Sequence, residues 1–96
     1  MRKFFVTLAA LASAFLLLGT GVASAGWHGD YIGQGIRIRS VPDGGTVKGL
    51  GYQGQGQCST VARKVGSYWW GYHRNDTTGV VGWSRGDYLS VDGRGC

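Results

Sequence analysis

The sequence predicts an all-β domain, a small antiparallel barrel of about five short strands, which follows a cleaved signal peptide. Two observations indicate strands. No window of residues 26–96 places apolar side chains at the helical spacing i, i+3, i+4, i+7, and all but two of the 19 glycines fall in this part of the chain. Short apolar stretches instead alternate with turn-forming residues every 8 to 12 positions or so, which is typical of a β-barrel.

Residues 1–25 have the three parts of a secretory signal peptide. Arg2 and Lys3 form a charged start, residues 4–18 an apolar run, and the small residues Ala23, Ser24 and Ala25 a cleavage pattern. Cleavage is therefore predicted before residue 26. The apolar run is shorter than the ~20 residues of a membrane-spanning helix, so we expect no stable membrane insertion after cleavage. The predicted product is secreted and extracellular, with association with the cell wall as an open alternative.

The mature chain, residues 26–96, is expected to be one monomeric domain at the lower end of the size range that folds alone. Two of the 10 Lys and Arg residues lie before residue 26, which leaves eight cations against five aspartates and a net charge of +3. The cations are scattered singly along the chain. This pattern suits an anionic cell surface and does not indicate nucleic-acid binding.

Cys58 and Cys96 are the two cysteines of the sequence. An even number in an exported chain indicates a disulfide, which within one chain would close a loop of about 39 residues and contribute about 4 kcal/mol. A bridge between two chains through Cys96 and a free thiol are the alternatives. Together with His28 and His73, the cysteines show none of the close paired spacings of zinc sites, so no metal or other cofactor is predicted.

Alternation along the chain predicts the strands. Ile36 and Ile38 alternate with Arg37 and Arg39, so the first strand has one apolar and one cationic face. Pro42 presets φ for the turn that follows. Further strands are predicted at residues 46–50, around residues 59–61, at residues 68–73 and at residues 80–83, with a hairpin turn at residues 74–79.

Three segments share their order with a known domain. Ile38-Arg39-Ser40-Val41-Pro42 opens the series, Trp69 or Trp70 supplies a tryptophan in a middle strand, and Gly82-Trp83-Ser84-Arg85-Gly86-Asp87-Tyr88-Leu89 closes it. This order resembles the bacterial SH3-like (SH3b) domain over residues 35–91. The resemblance implies an SH3-like barrel in which a one-turn 3₁₀ step after the last Trp leads into a final strand.

Two functional interpretations of the closing segment are disfavoured. Arg85-Gly86-Asp87 has the letters of an adhesion tripeptide, but the resemblance makes it an exposed turn that uses the backbone freedom of Gly86. Ser84 lacks the G-x-S-x-G surroundings of a hydrolase nucleophile, and a glycosidase would need two carboxylates at a defined separation, which no pair among the five aspartates specifies. The sequence therefore predicts no enzyme.

Aromatic side chains supply the best candidates for ligand binding. Strand alternation places Trp70 on the face of Tyr72 and Trp69 on the other face, so we expect one Trp in the core and one exposed. Exposed aromatics with polar rims stack on sugars or line peptide grooves. The predicted function is binding of a cell-wall (peptidoglycan) polymer or peptide, and the alternative is a small secreted effector, inhibitor or toxin that binds a protein partner. The candidate ligand-binding residues are Trp69, Trp70, Tyr72, Arg37, Arg39 and Arg85.

Overall fold

A computed structural model of the chain describes residues 26–96, and the signal peptide predicted for residues 1–25 lies outside them. The described chain is all-β, which confirms the predicted class. Its elements are β1 (Trp27–Tyr31), β2 (Gln34–Val41), β3 (Gly44–Tyr52), β4 (Gln57–Val65), β5 (Tyr68–Asn75), β6 (Val81–Arg85), a 3₁₀ turn (Gly86–Tyr88) and β7 (Leu89–Gly95).

The seven strands form one antiparallel sheet in the order β3-β2-β6-β5-β4-β1-β7. The predicted number of about five strands is therefore too low. Strand β1 was not predicted, because its sequence WHGDY has no apolar alternation, and β7 was expected only from the SH3b resemblance. The two strands pair with each other, and β1 also pairs with β4. Pairing with neighbouring strands therefore holds both segments extended, although their own sequences do not indicate a strand.

The sheet is open and strongly curved. The ring of Tyr31 in β1 lies so close to Gly51 in β3 that a Cβ atom on this glycine would overlap it, although four strands separate β1 from β3 in the sheet. At the end of β1, the backbone N–H of Ile32 donates a hydrogen bond to the carbonyl of Tyr88 at 2.8 Å, which continues the pairing of β1 with β7. The concave face of the open sheet therefore surrounds a small core.

Most of the fully buried side chains in this core are polar. Gln57 donates from its amide nitrogen to the carbonyl of Ser90 at 3.0 Å, which ties β4 to β7. Asn75 accepts from the backbone N–H of Thr77 at 2.8 Å and so shapes the turn after β5. Hydrogen bonds of this kind help to hold a core in which aliphatic side chains are few. The largest fully buried side chains are Tyr31, Ile38, His73, Gln57, Asn75 and Ser84.

His73 and Tyr31 meet in the middle of the core. Their ring centroids lie 5.5 Å apart in an edge-to-face arrangement, and the imidazole Nδ1 is 3.0 Å from the carbonyl of Gly71. The Nε2 atom of His73 has no hydrogen-bond partner among residues 26–96. Burial lowers the pKa of His73 and raises the pKa of Tyr31 to about 12, so the core contains two neutral side chains at neutral pH.

Cys58 and Cys96 form a disulfide within the chain, as predicted, with a Cα–Cα distance of 5.9 Å. The bridge fastens the residue after β7 to the start of β4. Gly26 lies against it, because a Cβ atom there would come 2.7 Å from the Cys58 sulfur, and its carbonyl accepts a hydrogen bond from the backbone N–H of Cys96 at 3.2 Å. No helix within residues 26–96 is long and apolar enough to cross a membrane.

Reduction of the disulfide should lower the free energy of unfolding by about 4 kcal/mol, because the reduced unfolded chain regains the entropy of an open loop. For a domain of this size the melting temperature should fall by roughly 15 to 30 °C. Thermal melts of residues 26–96 with and without reductant measure the change. The double variant Cys58→Ser/Cys96→Ser should melt like the reduced protein and should not respond to reductant. An unchanged melting temperature on reduction would contradict the expected stabilisation.

The buried His73 should make the fold sensitive to mild acid. Its folded-state pKa lies below the ordinary value of 6.5, so the unfolded state binds more protons as the pH falls. The stability conferred by the neutral imidazole is fully present above about pH 6.5 and is lost as the pH falls through the lowered folded-state pKa, at about 1.4 kcal/mol for each unit by which the pKa is lowered. Urea denaturation at pH 7 and pH 5 measures the loss. His73→Gln should flatten this dependence, and an unchanged dependence in this variant would overturn the assignment to His73.

Candidate functional site

The convex face of the sheet collects aromatic and cationic side chains. Residues directly opposite each other on antiparallel strands share a face. Trp70 on β5 lies opposite Arg85 on β6, Tyr72 lies opposite Trp83, and Trp83 in turn lies opposite Arg39 on β2. Three neighbouring strands therefore contribute to one surface, on the side of the sheet away from the polar core.

A groove of about 670 Å³ opens on this face. Strands β2, β5 and β6, the segment between β1 and β2, and the 3₁₀ turn all contribute to it. Its walls combine three aromatic rings with three guanidinium groups, so it can contact an apolar or planar surface and an anion at the same time. The side chains that give it this character are Arg37, Arg39, Tyr68, Trp70, Arg85 and Tyr88.

Trp70 is the buried aromatic of the groove. It is only 7% exposed, although it lies on the convex face and lines the groove. Its indole Nε1 has no hydrogen-bond partner among residues 26–96. Tyr68, two positions earlier on the same face, remains 48% exposed and is open to a ligand.

Arg85 is held in the groove wall by its own neighbours. Its Nε and Nη2 atoms donate to the two carboxylate oxygens of Asp87, each at 2.8 Å, and Nη2 also donates to the hydroxyl of Tyr88 at 3.2 Å. The guanidinium carbon lies 4.0 Å from the ring centroid of Tyr68 and 4.8 Å from that of Tyr88. Arg85 thus joins the two tyrosines into one wall, with cation–π contacts on both.

The tripeptide Arg85-Gly86-Asp87 is closed on itself by this pair. The hydrogen bonds from Arg85 lower the pKa of Asp87, and the same bonds raise the pKa of Arg85. Both groups stay charged and offset each other. The two charged side chains of the tripeptide pair with each other, and the 3₁₀ turn predicted at this point is present.

Arg37 and Arg39 differ from Arg85 in having no acidic partner. Neither side chain forms an ion pair within residues 26–96. Both line the groove from β2. Of the three arginines predicted to bind a ligand, these two have guanidinium groups free to do so.

The remaining two predicted aromatics lie outside the groove. Trp69 is the exposed member of its pair at 57%, and its strand register places it opposite Lys64 on the face away from Trp70. Tyr72 packs against Trp83 with ring centroids 5.2 Å apart. The exposed member of the Trp69 and Trp70 pair was predicted to bind a ligand together with Tyr72, and β5 places Trp69 and Tyr72 on opposite faces of the sheet.

Tyr68 and Tyr88 were not predicted as ligand-binding residues, although the sequence contains a signal for each. Alternation along β5 places Tyr68 on the face of Trp70, and the SH3b resemblance places Tyr88 in the segment that closes with the 3₁₀ step. What the sequence does not reveal is that Arg85 bridges the two rings, because that contact depends on the pairing of β5 with β6.

The hydroxyl of Ser84 is engaged in the fold. Ser84 is fully buried and donates to the backbone carbonyl of Arg37 at 2.7 Å, which links β6 to β2. No histidine hydrogen-bonds to this hydroxyl in the described part of the chain. The geometry therefore supplies Ser84 with no general base.

A second charged cluster joins β1, β7 and the turn after β5. His28 Nδ1 lies 2.7 Å from a carboxylate oxygen of Asp92, whose pKa is lowered by hydrogen bonds from Arg94. The Nε2 atom of the same histidine lies 3.6 Å from Asp76. Within residues 26–96, no three His, Cys, Asp or Glu side chains are arranged to hold a metal ion. The cluster ties three segments together at the disulfide end of the sheet.

Comparison with protein-family models, curated proteins and solved structures finds no match for this chain. The resemblance to SH3b domains rests on the residues quoted above.

Trp83→Ala should destabilise the domain by about 3 to 5 kcal/mol, because it removes a ring that is 8% exposed and packed between Tyr72 and the guanidinium of Arg63. Trp69→Ala, the same change at an exposed position, should change stability by roughly 0.5 kcal/mol or less. Asp87→Ala should also have a small effect, because exposed ion pairs contribute little. Urea denaturation of the three variants gives the comparison, and equal losses for the two Trp variants would contradict the packing.

Proposed function

We propose that the chain is a secreted, non-catalytic SH3-like binding module whose convex-face groove binds a peptidoglycan component of the cell wall. The observation that carries the proposal is the groove itself. It places exposed tyrosines and a buried Trp beside Arg37 and Arg39, two cations without an acidic partner among the described residues. Such a surface suits a ligand that has both an apolar or sugar face and a negative charge.

The SH3-like assignment is supported by the order of the elements near the end of the chain. Strand β6 carries Trp83, the 3₁₀ turn follows at once, and β7 begins at Leu89, in the order that the SH3b resemblance implies. The curvature that brings Tyr31 against Gly51 supports a sheet that rolls into a barrel. We propose SH3-like barrel closure and SH3b kinship on these grounds.

Export is supported by the cysteines. The two cysteines of the sequence are joined to each other, and disulfides persist in oxidising, extracytoplasmic compartments. The signal-like composition of residues 1–25 points the same way. A secreted protein with a net charge of +3 after cleavage would meet anionic wall polymers first, and its charge favours that encounter.

A protein partner is the second candidate. Beside the groove, the β2–β3 hairpin exposes Val41 at 49%, Val47 at 42% and Leu50 at 41%. Val47 lies opposite Arg39 and Leu50 opposite Arg37, so these apolar side chains extend the same face. Clustered exposed apolar residues are typical of protein-interaction surfaces. A small effector, inhibitor or toxin would use the same face against a protein.

Co-sedimentation of residues 26–96 with peptidoglycan that has been stripped of its phosphate polymers tests the wall-binding proposal. Binding should weaken with salt, because exposed charges are screened within about 8 Å at physiological ionic strength, and the stacking contribution should persist at high salt. Tyr68→Ala removes an exposed groove wall and should lower the salt-resistant affinity by about 5-fold or more.

Tyr52→Ala is the matched control, because Tyr52 is exposed to a similar degree, 41%, and does not line the groove. It should bind like the unaltered protein. If neither low nor high salt gives binding, peptidoglycan is not the ligand and the protein-partner alternative takes its place. Equal losses for the two tyrosine variants would move the site away from the groove.

A further inference from the structure

The two unpaired arginines of the groove stand in an apolar setting. Arg37 and Arg39 are alternate residues of β2, so their side chains leave the same face about 7 Å apart. Leu50 and Val47 on β3 and Trp83 on β6 lie opposite them and are uncharged, and the register of β2 with β6 places Arg85 beside Arg37. No acidic side chain within residues 26–96 pairs with either arginine, so both guanidinium groups can bind an anion without first breaking an ion pair.

The other charges of the groove do not neutralise this pair. Arg85 is offset by Asp87, with which it makes two hydrogen bonds. Asp43 contributes a carboxylate at the β2–β3 turn and forms no ion pair with either arginine. The groove therefore has an excess of positive charge on β2, and the aromatic rings of Tyr68, Trp70 and Tyr88 lie across it.

We infer that the occupant of the groove is a peptide segment of peptidoglycan with a free carboxylate, and that Arg37 and Arg39 bind this carboxylate. The inference rests on the proposed function. Guanidinium groups pair with carboxylates through two parallel hydrogen bonds. Once phosphate polymers are removed, the carboxylates of the peptides are the main anionic groups that peptidoglycan retains. The apolar part of the same peptide then packs on the tyrosine walls over Trp70.

The test compares two forms of the same material, stripped peptidoglycan before and after its carboxylates are converted to amides. The unaltered protein, Arg37→Gln and Arg39→Gln are co-sedimented with both forms at physiological ionic strength. Amidation should weaken binding of the unaltered protein by about 10-fold, the size expected for loss of a charge-assisted hydrogen-bonded pair. Each arginine variant should lose a similar factor on untreated material and lose little more on amidated material.

Two further variants separate specific binding from general charge. Lys64→Gln removes one positive charge outside the groove, so its binding should fall by no more than about 2-fold. Arg37→Lys keeps the charge but not the two-pronged geometry, and should give an intermediate loss. Melting curves should show that all variants fold, because no hydrogen bond or ion pair in the described chain uses the Arg37 or Arg39 side chain.

The outcomes distinguish this inference from the proposal beneath it. If the protein binds amidated and untreated material equally and Tyr68→Ala still weakens binding to both, the groove binds peptidoglycan without recognising a carboxylate. Only the inference then fails. If the arginine variants lose binding only to walls that keep their phosphate polymers, the anion is a phosphate and the carboxylate assignment is wrong. If the unaltered protein binds neither stripped form and no phosphate-bearing wall, both the inference and the proposed function fail.

Discussion

The pairing of β5 with β6 is the constraint on which both faces of the sheet depend. It sets Trp70 opposite Arg85 and Tyr72 opposite Trp83 on the convex face, and it sets His73 opposite a glycine on the concave face. A slip of one residue would turn the aromatics into the core and the imidazole toward the solvent. The register of β5 with β6 therefore determines both the groove and the polar core.

The composition of the core explains why that register needs stabilising interactions from outside the core. Ile38 is the one fully buried aliphatic side chain among the largest such residues of the described chain, and the others carry polar groups. Hydrogen bonds of neutral groups contribute only about 0.5 to 1.5 kcal/mol each, so such a core stabilises the fold only modestly. The disulfide compensates by restricting the unfolded chain, and the packing of Trp83 adds apolar burial on the opposite face.

Much of the central sheet follows from the sequence. Ile36 and Ile38 alternate with arginines, and the aromatic residues around Trp70 follow a similar order. Both patterns have the period of two that the geometry of a β-strand imposes. Strands β1 and β7, the last two strands at one end of the sheet, lack this signal, and pairing with each other and of β1 with β4 holds them in place. The role of Arg85 was also beyond sequence reasoning. Its partner is only two residues away, but whether that carboxylate turns toward it depends on the 3₁₀ turn and on a tyrosine from another strand.

The disulfide end of the molecule bears on how the protein can be handled. Gly26 and Cys96 meet beside Cys58, whereas the groove lies near Trp70, whose partner on β4 is Arg63. Five residues of extended strand separate Cys58 from Arg63, a distance of about 17 Å. A surface tether or a fluorescent label joined to the chain beside residue 26 or residue 96 would thus stand well away from the groove. Immobilised in this way, the domain would keep its groove facing outward.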